Sequence, residues 1–250
     1  MDSTSPAEHF ILIPSPLCGS ATWEPVAAAL RGQGHNATIA RLHDGDPAQP
    51  YWRQHAATAA VALTQLPPDR VPLLVAHSGA GPLLPAIRRA AGRSVGGYLF
   101  ADAGLPHPGH SRLDELTQAV PALAAILRAD LLAGGRYPAW DDAALRSLIP
   151  DPARRATTLA ALRPRSLAFF TEVLPPNDAW PDAPCAYLRF SAAYDAHAAA
   201  AQARGWPIRA FDAGHFHQLV DPDAAAEALL SLAAEADMSS GDKEGARCGS

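Results

Sequence analysis

The chain has 250 residues and a formal net charge of −5, enough for one large domain with a full core and without the basic footprint that nucleic acid requires. Three cysteines, Cys18, Cys185 and Cys248, odd in number and far apart, argue against a disulfide framework and against a cysteine-held zinc site. Residues 1–8 lack an apolar signal core and no apolar run is long enough to span a bilayer, so a soluble, cytoplasmic protein is the expectation.

The apolar run 10–13 predicts a first core strand, ended by Pro14. The loop Pro14-Ser15-Pro16-Leu17-Cys18-Gly19-Ser20 follows. Thr22, with Pro25 in the first turn, opens a helix to about 31, which Gly32 and Gly34 stop. Residues 36–42 read as a second strand, and 51–66 as a helix closed by Pro67-Pro68. The run 71–75 is apolar without alternation, as in a strand buried on both faces. It leads through Ala76-His77-Ser78-Gly79-Ala80-Gly81 into a helix ending near Ala91. Residues 95–101 form the next strand, ended by Asp102. Strands alternating with helices predict an α/β fold: a mostly parallel sheet of about six strands, flanked by helices. Such sheets carry their sites at the carboxyl ends of the strands.

From 104 to 183 the alternation breaks. Segments 111–133, 141–148, 152–162 and 165–174 read as helical, a lid inserted into a core made of 1–103 and 184–236. Its apolar residues Leu116, Val120, Leu123, Leu127, Leu131, Phe169, Phe170 and Trp180 are free either to line a substrate pocket or to pack the lid on the sheet. Strands resume at 185–190 and 206–211, with a helix from about 195 to 204 between them. The loop Asp212-Ala213-Gly214-His215-Phe216-His217 follows, and Pro222 opens a last amphipathic helix. The polar tail, 237–250, is expected to be disordered.

Ser78 falls on the turn between strand and helix, where small neighbours let a serine stand on a sharp bend with its hydroxyl exposed. The flanking small residues are Ala76 and Ala80, with Gly79 and Gly81 adding slack. A serine needs a base to become a nucleophile. His215, after the last strand, is the candidate base. Asp195, after the preceding strand, is the candidate acid that would hold the imidazole tautomer. The order Ser78, Asp195, His215 suits a triad built on a parallel sheet with a strand-to-helix serine turn. Asp102, also at a strand end, is the alternative acid, and His217 the alternative histidine. His77 reads as a packing residue and Cys18 as a small buried hydrophobe. No metal and no cofactor is expected. The expected partner is a small-molecule substrate, with neither nucleic acid nor membrane, for a monomer or homodimer.

Phe10-Ile-Leu-Ile-Pro14 ahead of a Gly-Ser loop and Trp23, His77-Ser78-Gly79, Phe100-Ala-Asp-Ala-Gly-Leu-Pro106, Gly205-Trp206 and residues 214–222 together resemble the α/β-hydrolase-fold superfamily. Within it they are most similar to the branch of the plant hydroxynitrile lyases, the methylesterases related to salicylate-binding proteins, and their bacterial relatives. The resemblance spans about 9 to 236 apart from the lid. It implies Ser78 as nucleophile, Asp195 as acid, His215 as base and the Gly79 N–H as an oxyanion donor. One departure bears on mechanism. The family has His-Gly at Pro14-Ser15, and the following residue donates its backbone N–H to the oxyanion; here that residue is Pro16, which has none. The Leu17 N–H and the Ser15 hydroxyl are the candidate replacements in a loop that also holds Cys18. The expected function is an esterase or thioesterase acting on a small-to-medium apolar substrate. The alternative is a lyase, cyclase or carbon–carbon bond-forming enzyme of secondary metabolism, with Ser78 and His215 as acid and base. A catalytically silent ligand receptor is a third reading.

Overall fold

Six parallel strands form one sheet in the order β2-β1-β3-β4-β5-β6: β1 His9–Ile13, β2 Asn36–Ile39, β3 Leu73–Ser78, β4 Gly97–Ala103, β5 Cys185–Arg189 and β6 Ile208–Ala210. This computed structural model describes residues 8–177 and 179–238. The helices are α1 Glu24–Gly32, α2 Tyr51–Thr64, α3 Leu84–Ala91, α4 Arg112–Ala119, α5 Pro121–Leu132, α6 Asp142–Leu145, α7 Pro152–Ala161, α8 Leu167–Thr171, α9 Asp195–Ala203, α10 His217–Val220 and α11 Pro222–Glu235. The edge strand β2 stops three residues short of expectation. Its neighbour β1 runs into Pro14, which has no N–H to give a ladder.

Every residue of β3 is buried, which is why its sequence shows no alternation. Leu74 and Ala76 face one core layer, with α2, α3 and Phe100; Leu73 and Val75 face the other, with α1 and α11. Thr22 does not cap α1: its hydroxyl donates to the Gly19 carbonyl at 3.1 Å, and Trp23 occupies the cap position. The disorder expected from 237 fails at its start, because Met238 is buried against Gly97. The rest of that tail lies outside the described residues.

Between β4 and β5 the chain holds helices α4 to α8. The segment 111–133 is two helices, not one. Pro121 forces Val120 out of helical geometry, to φ −143° and ψ 75°. Leu113, Ala124, Leu131, Phe169 and Phe170 form this insertion's own cluster. Val120 and Leu123 are exposed instead, and Trp180 packs on the sheet against Phe100 and Trp206. Among the described residues, no helix is long and apolar enough to cross a membrane.

Candidate active site

Ser78 is the last residue of β3 and sits at φ 57°, the left-handed region that a side chain enters only at a cost. The strain is held because the chain on both sides is buried. Gly81 is part of that packing rather than slack: a Cβ there would lie 1.9 Å from the Gly104 carbonyl oxygen. Gly104 in turn donates its N–H to the Ser78 carbonyl at 3.1 Å. The start of the following helix is thereby clamped against the end of β4.

The carboxylate behind His215 is Asp102, not Asp195. Between β3 and β4 the pairing passes from His77↔Ala101 to Ser78↔Ala103, so Asp102 is skipped; it takes φ 43° and is fully buried. Its Oδ1 accepts the N–H groups of Phe190 and Ser191 at 2.8 and 2.9 Å. Its Oδ2 accepts the Ser191 hydroxyl at 2.6 Å and lies 2.7 Å from His215 Nδ1. Burial by itself would raise this carboxyl. The bonds and charge of His215 and the Ser191 donors outweigh burial and hold it below the usual carboxylate range. Asp195 opens α9, 59% exposed, with its carboxylate taken by Arg189 Nε at 2.6 Å. Both aspartates lie between Ser78 and His215 in the chain, so residue order could not separate them.

The His215 ring lies between two others. His77 stacks on it at 4.5 Å and Tyr194 at 5.0 Å, nearly parallel. His77 is fully buried, and burial, with the charge of His215, pushes it down to about 3. It is therefore neutral, and its Nε2–H donates to the His215 carbonyl at 3.0 Å, tying the His215 loop to β3. His217 points elsewhere, packing against Phe190 and Phe211.

Sequence reasoning missed Tyr194. Its hydroxyl and that of Ser78 are 3.2 Å apart, and burial raises its phenol, which stays protonated. Serine and imidazole thus rest on one phenol. The available signal was its place in the loop after β5, at the same sheet rim as Ser78.

In the loop after β1, Ser15 is buried and its carbonyl accepts the N–H groups of Cys18 and Gly19. Its Oγ accepts the Leu17 N–H at 3.3 Å. That occupies the Leu17 donor, and the Ser15 hydroxyl also makes a side-chain contact with the Cys18 thiol. The loop packs on the serine turn, with a Cβ at Gly79 only 3.8 Å from Pro16 Cδ and 3.9 Å from Ser15 Oγ. Arg165 braces it by donating to the Pro16 carbonyl at 3.1 Å, and Arg163 N–H donates to the Leu17 carbonyl at 2.8 Å. Cys18 is buried beside Phe216 and Leu145, and burial pushes its thiol up to about 12, so it is a packing group and not a nucleophile.

The model of the alpha/beta hydrolase family matches residues 7–228. Among solved structures, polyneuridine aldehyde esterase is similar at TM-score 0.70 and 17% identity, covering 91% of this chain and 99% of that one. An extracellular alpha/beta-hydrolase from a Paenibacillus species, titled as sharing structural and functional homology with tobacco salicylic acid binding protein 2, is similar at TM-score 0.69 and 16% identity (90% and 98% covered). Tomato methylketone synthase I, complexed with 2-tridecanone, is similar at TM-score 0.66 and 15% identity (92% and 99% covered). A comparison with curated proteins gave no match.

Proposed function

Because the chain belongs to the alpha/beta hydrolase family, we propose that it is a serine esterase in which Ser78 is the nucleophile, His215 the base and Asp102 the acid. The observation that carries this reading is the 2.7 Å hydrogen bond between His215 and the buried Asp102, at the sheet rim where a serine is held at φ 57°. With Nδ1–H committed to Asp102, the neutral imidazole keeps its Nε2 lone pair for the serine proton. Ser78 Oγ attacks the ester carbonyl, and His215 passes the proton to the leaving alcohol or thiol. Water then enters by the same base and releases the acid. The developing oxyanion meets the Gly79 N–H and the Ser15 hydroxyl. Helices α4 to α8 act as a lid whose apolar cluster receives a small-to-medium substrate.

A fluorophosphonate probe should label Ser78 in the wild type and leave Ser78→Ala unlabelled. The alanine variant should also lose turnover of p-nitrophenyl butanoate. No label on the wild type, together with full activity of the variant, overturns the reading. Ser15→Ala is expected to lower kcat by about a hundredfold to a thousandfold, the usual cost of one oxyanion donor, with a much smaller change in KM. An unchanged kcat would remove the Ser15 hydroxyl from the oxyanion site.

Pro16 favours a second reading. With no N–H at Pro16 and the Leu17 N–H bonded to Ser15, neither the expected donor position nor the next one offers a free N–H, which suits a lyase, cyclase or carbon–carbon bond-forming step using Ser78 and His215 as acid and base. Turnover in ¹⁸O-water separates the two, since only hydrolysis places solvent oxygen in the acid product.

A further inference from the structure

We propose that the Arg112 guanidinium, at the start of α4, is a binding subsite for a carboxylate, so that the substrate is an ester carrying a second, ionised carboxyl group. The ester half of this statement rests on the function proposed above; the subsite itself does not.

Nε, Nη1 and Nη2 of Arg112 are all shielded from solvent, and none has a hydrogen-bond partner. The guanidinium lies 4.2 Å from the centre of the Phe169 ring and is otherwise without an acceptor for its five N–H groups. Burial lowers its pKa only to about 10, so it stays charged at neutral pH. A charge buried with no acceptor is costly, and this chain elsewhere avoids that cost. Buried Arg155 reaches Asp142 and the carbonyls of Ile149 and Pro150. Arg93 reaches the carbonyls of Leu63, Leu66 and Pro67. Arg165, over the same Phe169 ring at 5.5 Å, holds Asp44 and the Pro16 carbonyl. Among the described residues, Arg112 is the buried arginine without an acceptor.

The neighbouring carboxylates are already engaged. Glu172 accepts the N–H groups of Tyr51 and Trp52 at 2.7 and 2.6 Å, at the start of α2, and reaches Arg112 only as a charge at a distance. Asp44 is held by Arg165 and by His55. Burial pushes His55 down to about 4, so it is neutral; its Nδ1 is a second buried atom without a partner, and its ring faces Phe169 at 6.3 Å. Both carboxylates near this ring are therefore held by other groups, and what Arg112 lacks is an acceptor. A single carboxylate matches the planar fork and brings one negative charge. A phosphate dianion would bring two, beside Glu172.

A chain of packed side chains links the subsite to the serine turn. Pro16, bonded to Arg165, packs on Gly79, and Leu17 lies in the same apolar cluster as Leu113, Phe169 and Phe170. Methylenes laid along that cluster would join an ester at Ser78 to a carboxylate at Arg112.

The test uses the wild type, Arg112→Met and Arg112→Lys. The substrates are neutral p-nitrophenyl butanoate and the mono-p-nitrophenyl esters of glutaric, adipic and suberic acids. The wild type should prefer one chain length among the half esters. In Arg112→Met the kcat/KM ratio of that half ester to the neutral ester should fall about tenfold to a hundredfold, mostly through KM, and Arg112→Lys should recover part of it. Binding is read separately from catalysis. The matching free dicarboxylate should raise the Tm of wild type and of Ser78→Ala, and not that of Arg112→Met, while inorganic phosphate should shift none of them. Dicarboxylate stabilisation without turnover of any ester keeps the subsite and overturns the esterase reading. An equal shift by phosphate, or no shift by any dicarboxylate together with an unchanged half-ester ratio in Arg112→Met, overturns the subsite.

Discussion

Asp102→Asn is expected to lower kcat on p-nitrophenyl butanoate by about ten-thousandfold, whereas Asp195→Asn should change it by less than about twofold. The first effect is one of tautomer. An asparagine can still accept the Phe190 and Ser191 N–H groups through its oxygen, so the end of β4 keeps its backbone anchors. Its amide nitrogen then faces His215 Nδ1 as a donor. The imidazole must move its proton to Nε2, where it can no longer accept one from Ser78. The second substitution removes only an exposed pair with Arg189. Steady-state kinetics on both variants, with circular dichroism as the folding control, decides between them. Collapse of Asp195→Asn with Asp102→Asn active would reverse the assignment of the acid.

Gly81→Ala is expected to destabilise the fold by about 3 kcal/mol or more, a loss of roughly 6–12 °C in Tm for a chain of this size. The added carbon would stand 1.9 Å from the Gly104 carbonyl oxygen, a backbone atom that cannot rotate away. Relief requires β4 and the helix start to part, and that pulls on the Gly104 N–H bond to Ser78. Activity should therefore fall with stability, below the melting transition as well as through it. Gly79→Ala is the comparison: its nearest atom beyond its chain neighbours is 3.8 Å away, so its Tm should stay within about 2 °C. Equal Tm values for the two variants would show that the clamp between the helix start and β4 is not tight.

The parts of this fold that could be read from residues alone are those with a local cause. β3 announced itself because a strand covered on both faces can be apolar throughout, and Ser78 followed because Ala76, Gly79, Ala80 and Gly81 flank it. His215 followed because the rim of a parallel sheet gathers whatever comes after each strand. Pro121 also carried a local signal, and it divides 111–133 into two helices as the restriction on its preceding residue requires.

Three features had no local cause. The choice of Asp102 over Asp195 was made by one skipped residue in the β3–β4 ladder and by a salt bridge to Arg189. The meeting of Tyr194 with Ser78 joins loops 116 residues apart. The isolation of Arg112 depends on Glu172 and Asp44 being occupied by other partners. Hydropathy and spacing establish which strand, turn and helix a residue belongs to, because those follow from its neighbours in the chain. Which hydrogen bond a carboxylate or guanidinium makes depends on competition among groups that only folding brings together, and that competition was settled in three dimensions.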